Sequence, residues 1–323
     1  MTAEPHLVAD IGGTNARFAL ADARGRISEM RSYRSKEFAS LEGAADAYFS
    51  SMNVRPRKAC FAAAGPVTDP VIEFTNSPWV LNVAAMQARF GFAEFLVVND
   101  FKALAAGVSE LAPLDFTEVK PGTPDSSAPV LVIGPGTGFG QALIAPMKTG
   151  GRTIIPTEGG HVGFAPRDED EMAILRFIAR DHPRVSLERV VSGGGIVNIY
   201  RSLCARGGLQ AQFDEGKKVT DAALAGSDAT AQEAIAIFCA LLGAAAGDAV
   251  LATGARGGVV LGGGILPKIK ETFLKSRFVE RFCDKGRMRD YMEAVPVRLI
   301  LHDGAALIGA SVLLREQIGA LRK

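Results

Sequence analysis

The sequence predicts an α/β protein with a mixed sheet, and two observations carry that expectation. First, the opening third begins with antiparallel strand candidates and then alternates strand with helix. Second, the pattern restarts after residue 129 with a segment that echoes the opening one. A chain of 323 residues, 48% of them hydrophobic, is also long enough for two domains or one large α/β unit.

In chain order, HLVADIG reads as a strand, ARFALAD as its hairpin partner and ISEMRSY as a third strand. SLEGAADAYFSSM has a helical pattern, and KACFAAAG returns to strand. VAAMQARF is helical, EFLVVND a strand, and FKALAAGV the start of another helix. Leu111 to Pro129 is rich in Pro, Gly, Ser and Asp and reads as a surface connection between domains, which puts the first domain at 1–110 and the second at 111–302. VLVIGPGTGFGQALIAP then repeats the strand–turn–strand pattern, with Thr137 aligned on Thr14 without a gap. If the echo reflects duplication, each half presents a Gly/Thr hairpin turn to a shared cleft. The second half is mostly helical: DEDEMAILRFIARD, GGGIVNIYRSLCAR, a run from Thr230, and a region reaching about Tyr291. GGVVLGGG and VPVRLILHD are strands, and AALIGASVLLREQI is a closing helix with one apolar face.

Composition excludes several classes. Net charge is +1, with acids and bases interleaved, so nothing offers a basic stripe to nucleic acid or a polybasic run to a membrane. Cys60, Cys204, Cys239 and Cys283 form no CxxC pair, which argues for reduced buried thiols in a cytoplasmic protein. MTAEPHLVAD lacks the features of a signal peptide. The run Ala234 to Gly247 is read as too short to span a bilayer and better suited to a closely packed helix.

Five segments carry candidate chemistry. In LVADIGGTNARFALAD, glycines let backbone N–H groups approach an anion, and Asp10 ends a strand facing the same space. A carboxylate beside phosphates makes sense with Mg²⁺ between them. Neither a Walker A loop nor a dinucleotide fingerprint is present, since no Gly-Lys precedes Ser or Thr and the third required glycine of GPGTGFG falls on Phe139. Asn99-Asp100 end a strand where open α/β sheets carry ligand groups; Asp100 suits a general base for a hydroxyl, and the pair suits helix capping equally well. In IPTEGGHVGFAP, Glu158 and His161 together can accept from and donate to adjacent hydroxyls. Glu188 precedes a glycine-rich helix start, and by itself reads as a solvated surface residue. VVLGGGILP joins a strand to a helix through three glycines, room for a flat group such as a nucleobase or for a tight turn alone.

Taken together, DIGGTNARFAL, GPV, TNSPW, NDFKA, GPGTGFG, EGGHVGFAP, ERVVSGGGIVNIY, GGVVLGGG and DKGRM resemble bacterial glucokinase, within the sugar kinase–actin–heat-shock ATPase superfamily, from about His6 to Leu314. That resemblance implies two ribonuclease-H-like (actin-like ATPase) domains flanking a central cleft, with the C-terminal helix (about 303–323) packing back on the first. It implies ATP-dependent phosphorylation of glucose at its 6-hydroxyl. Ala9, Asp10, Ile11, Gly12, Gly13, Thr14, Asn15 and Arg17 match the first phosphate loop, with Asp10 acting on Mg²⁺. Gly136, Thr137 and Gly138 match the second loop, and Gly262, Gly263, Gly264 and Ile265 the adenosine site. Asn99, Asp100, Gly138, Glu158, His161 and Glu188 match the glucose site, with Asp100 as catalytic base. Relatives are often homodimers. Pro135 and the SGGG at Gly193 depart from the commonest family residues but keep the ligand groups. The absence of cysteine from GHVGFAPRDEDE matches the zinc-free branch. The alternatives are a kinase for another hexose or an N-acetyl hexosamine, one using polyphosphate, and a noncatalytic sugar sensor or repressor; the last needs a DNA-binding domain, for which no room is expected before His6.

Overall fold

The computed structural model describes residues 4–52, 54–74 and 79–321. Thr75 to Pro78 of the TNSPW motif, and the last two residues expected in the closing helix, lie outside the described residues. The chain forms two compact units: one takes in the chain up to Asp115, Ile154–Pro156 and the chain from His302, the other Phe116–Thr153 and Thr157–Leu301.

In the first unit, strands β1 (His6–Ile11), β2 (Asn15–Ala21) and β3 (Ile27–Arg34) are followed by helix α1 (Leu41–Ser50) and β4 (Lys58–Ala63). A small hairpin, β5 (Val71–Glu73) with β6 (Val80–Asn82), leads to α2 (Val83–Phe90), β7 (Glu94–Asn99) and α3 (Asp100–Gly107). The sheet order is β3-β2-β1-β4-β7. β1 runs antiparallel to β2 and parallel to β4, which is parallel to β7. Side chains alternate along β1 as a strand requires. Leu7, Ala9 and Ile11 enter a core with Phe18, Tyr48, Phe61 and Trp79, while Val8 joins the opposite core. That second core holds Ala103 and Ala106 of α3 and Leu307, Ala310 and Leu314 of the last helix.

The second unit contains β8 (Phe116–Lys120), β9 (Val130–Pro135), β10 (Phe139–Pro146) and the two ends of β11 (Arg152–Thr157), whose Ile154–Pro156 fall in the first unit, then α4 (Glu169–Ile178), α5 (Gly193–Arg206), α6 (Gly216–Ala225) and α7 (Ala229–Thr253). β12 (Gly258–Leu261), α8 (Lys270–Leu274), α9 (Phe278–Cys283), α10 (Arg289–Ala294) and β13 (Val297–Ile300) complete it. α11 (Ala305–Leu321) belongs to the first unit. The sheet order is β11-β10-β9-β12-β13-β8. Its first five strands repeat the plan of the first sheet: a hairpin, then two parallel neighbours.

Two expectations need correction. Phe116–Lys120, inside the stretch read as a surface connection, is a strand antiparallel to β13 at the sheet edge. Its polar residues hid it, because an edge strand need bury only one face. The apolar run expected to be too short for a bilayer belongs to a 25-residue helix, long and apolar enough by length and composition to cross one, and mostly buried inside the second unit. Phe238, Leu242 and Ala246 on α7 are fully buried in the large core, and Gly243 lies where a Cβ would stand 2.2 Å from the Phe278 carbonyl oxygen. The four cysteines are buried and free.

Candidate active site

In the first unit, the chain turns between the paired residues Ile11 and Ala16, closed by Gly12 N–H donating to the Asn15 carbonyl at 3.0 Å. The carbonyl of Thr14 accepts from Ser35 N–H, which ties the turn to the neighbouring segment. Asp10 and Arg17 face each other in register across β1 and β2. Both alternate away from Ala9, Ile11, Ala16 and Phe18, and so lie on the sheet face covered by α3 and α11. Arg17 Nη1 donates to the Asp303 carbonyl at 3.0 Å, just before α11. Burial pushes the Asp10 carboxyl pKa up, and the Arg17 guanidinium pulls it partly back. The side chain keeps some solvent-facing surface but is closely walled by protein, and its carboxylate makes no hydrogen bond among the described residues.

The parallel ladders align Ile11, Ala63 and Asn99 across β1, β4 and β7. At about 4.8 Å per strand, Asn99 sits roughly 10 Å from the first turn, at the same carboxyl edge of the sheet. Between them lies the GPV motif: Ala64 N–H donates to Ile11 O, and Asn99 Nδ2 donates to Gly65 O at 3.1 Å. Gly65 has a φ of 109°, a conformation open to glycine but not to most residues. Asn99 also caps α3, its Oδ1 accepting from Lys102 N–H at 3.0 Å. Asn99 thus performs the helix capping that this stretch also suits. Asp100 is the first residue of α3, half-buried, with Oδ1 accepting from Phe101 N–H at 2.8 Å.

In the second unit, the chain turns between the paired residues Pro135 and Phe139, with Gly136 N–H donating to Gly138 O at 2.8 Å. Three residues turn here and four in the first hairpin, so the gap-free alignment on Thr14 and Thr137 slips by one position on one limb. After β12, Gly262 N–H donates to Ile133 O. A Cβ on Gly134 would stand 2.0 Å from Gly262 O, and one on Gly263 (φ 87°) 2.3 Å from Pro135 O. Gly264, in contrast, faces open space. The triple glycine therefore packs backbone on backbone against the second turn and leaves room at its far end.

Glu158 and His161 flank a single 3₁₀ turn, Gly159–His161. Their side chains are 3.9 Å apart and more than half exposed. The turn lies on β10: a Cβ on Gly160 would meet Phe139 O at 2.1 Å. Arg184 Nη1 holds the His161 carbonyl at 2.8 Å. Glu188 is half-buried, and its Oε2 accepts from Phe139 N–H at 3.0 Å. Gly138 lies so close that a Cβ there would be 2.5 Å from that oxygen. Within this unit the structure thus gathers Gly136, Thr137, Gly138, Gly262, Gly263, Glu158, His161 and Glu188 around the start of β10.

Three participants escaped sequence reasoning. Asp303 enters through a backbone carbonyl, which no residue-type signal marks. Gly193 N–H donates to Gly136 O at 2.9 Å, placing the start of α5 beside the second turn. Ser192 caps that helix through Gly195 N–H and also donates to Glu188 O at 2.7 Å. The SGGG start signalled the helix, not its neighbour.

The glucokinase family model matches residues 7–317. A glucokinase from Hahella chejuensis is 42% identical over 313 residues, 96% of this chain and 97% of its own. One from Nitrobacter hamburgensis is 40% identical over 309 residues, 95% and 96% of the two chains. The solved structure of a glucokinase from an Antarctic psychrotroph aligns with a TM-score of 0.79 at 38% identity, over 97% of this chain and 99% of that one. The fold is that of the actin-like ATPases, in its sugar kinase form. This chain belongs to the glucokinase family.

Proposed function

We propose that this chain transfers the γ-phosphoryl group of ATP to the 6-hydroxyl of glucose, with Asp100 as general base. The observation that carries the reading is the placement of Asp100 at the carboxyl edge of the first sheet, beside the glycine turn of β1 and β2 and at the first position of a capped helix. Asp100 Oδ1 accepts from Phe101 N–H, which helps fix the direction of the carboxylate at the start of the helix. Asn99, tethered at both ends of its amide, keeps that edge rigid. Glu158, His161 and Glu188 supply acceptors and a donor for the sugar's other hydroxyls.

Each glycine turn by itself suits a phosphate, since its backbone N–H groups need no side chain to reach an anion. Gly262, Gly263 and Gly264 suit the adenosine, with Gly264 facing open space. Mg²⁺ fits Asp10, a walled carboxylate without a hydrogen bond among the described residues. A single protein carboxylate is ordinary for Mg²⁺ in phosphoryl transfer, because phosphates and water complete the shell. The described residues hold no cluster of three His, Cys, Asp or Glu that would favour a caged ion instead. When bound, Mg²⁺ supplies charge neutralisation on the phosphate oxygens. The protein itself orients the hydroxyl, accepts its proton at Asp100 and anchors Arg17 through Asp303. Four free buried thiols support a place in the cytoplasm.

The test is ADP release with glucose, mannose, fructose and glucosamine, for the native chain and for Asp100→Asn. Glucose should lead, and Asp100→Asn should retain glucose binding while losing roughly 10²–10⁴-fold in kcat. Near-native turnover by Asp100→Asn would remove the base from Asp100, and equal rates on all four sugars would remove the preference for glucose.

A further inference from the structure

We propose that Glu188 is a double-ended residue that couples sugar binding to the nucleotide turn, a proposal that rests on the sugar and phosphate assignments above. Its two carboxylate oxygens are not equivalent. Oε2 is committed to Phe139 N–H and packs on Gly138, whereas Oε1 makes no hydrogen bond among the described residues and is open to a sugar hydroxyl. The same segment grips the other side of the turn. Ser192 Oγ donates to Glu188 O and accepts from Gly195 N–H, and Gly193 N–H donates to Gly136 O. Residues 136–139 are thereby held at both ends by residues 188–193.

A two-ended clamp has a thermodynamic consequence. With only Oε2 engaged, the carboxylate can still rotate about its side-chain bonds, and the turn moves with it. A sugar hydroxyl on Oε1 removes that freedom, so the ordering of Gly136 to Phe139 is completed before a nucleotide arrives. Sugar should then tighten nucleotide binding, and by reciprocity the nucleotide should tighten sugar binding by the same factor. A residue that only held sugar would have no effect on nucleotide in the sugar's absence.

The experiment is calorimetric titration of ADP with and without saturating glucose, and of glucose alone, for the native chain, Glu188→Ala and Glu188→Gln. In the native chain glucose should tighten ADP at least about 5-fold, the lower end of ordinary coupling. Glu188→Ala should weaken glucose, weaken ADP several-fold even without sugar, and bring the coupling factor close to one. Glu188→Gln keeps an oxygen for Phe139 N–H and should recover ADP affinity without sugar; it also reports on the turn if the alanine variant fails to fold. Weakened glucose binding with native ADP affinity and native coupling in Glu188→Ala overturns the link and leaves the sugar assignment standing. Native glucose affinity in that variant overturns the sugar assignment, and the link with it.

Discussion

Replacing Gly309 by alanine tests how the fold holds Asp100. Helices α3 and α11 cross at two glycines. A Cβ on Gly309 would stand 1.7 Å from the Ala103 carbonyl oxygen, and one on Gly107 would stand 2.2 Å from that of Ala305. Both obstacles are backbone, which cannot swing aside. Restoring an ordinary contact of 3.4 Å at Gly309 requires the helices to part by about 1.7 Å. Overpacking of this kind costs about 1–3 kcal/mol, and sometimes more, because the parting also loosens Ala106, Leu307, Ala310 and Leu314. Alanine's better helix propensity returns at most ~1 kcal/mol. A net loss of about 1–2 kcal/mol should lower Tm by roughly 2–8 °C for a unit of this size. Gly319→Ala is the control: the same helix and the same substitution, but with nothing within 4 Å, so Tm should stay or rise. The parting also moves α3, whose first residue is Asp100, and a displacement near 1 Å can cost about 10² in rate. Thermal unfolding by circular dichroism and kcat at saturating substrates read the two effects. Equal Tm for the two variants would refute the packing argument, and native kcat in a destabilised Gly309→Ala would refute the link to Asp100.

Asp10→Asn should separate stability from activity. Because burial raises the folded pKa of Asp10 above its unfolded value near 3.9, the folded state binds more protons between the two, and stability falls as pH rises through that window. The variant should therefore unfold at a higher temperature than the native chain at pH 7, lose that advantage toward pH 3, and lose roughly 10²–10³-fold in kcat; a lower Tm at pH 7 would contradict the sign. The buried pair of Glu171 and Arg281 joins α4 to α9, and Glu171 also accepts from Arg167 N–H at 2.8 Å. Glu171→Leu or Arg281→Met alone should cost about 3–5 kcal/mol in urea unfolding, and the two together should recover much of it. Strict additivity of the two single losses would show that the charges do not act as a pair.

The hairpins, the parallel strands after them and the apolar closing helix were readable, because buried strands and helices impose their periods on residue type. β5 and β6 carry little of that signal because each has only three residues, and β11 because none of its residues is buried. The site divided in the same way. Asp10, Asn99 and Asp100 stand out as polar groups ending apolar runs. Glu158 and His161 stand out beside Gly159 and Gly160. Asp303 and Gly193 act through the backbone, so their identity carries no sign of the role. Gly262 to Gly264 look alike in sequence, and only the path of β9 decides that Gly263 is packed tight while Gly264 faces space.

The repeated sheet plan gives a physical reason for the different residues at equivalent places. By hairpin register, Asp10 is one position before the last pair of its ladder, and Gly134 is one position before the last pair of the other. On the parallel side Asp10 lies against Ala62, whereas Gly134 is pressed on Gly262 with no room for any side chain. A carboxylate at Gly134 would displace the triple-glycine segment from β9, and with it the surface proposed for the adenosine. A glycine at Asp10 would remove the carboxylate proposed for Mg²⁺. The two strand ends share one backbone plan but have been put to incompatible uses, a charge in one sheet and backbone contact in the other. The difference in residue type at this pair of positions therefore follows from packing and charge.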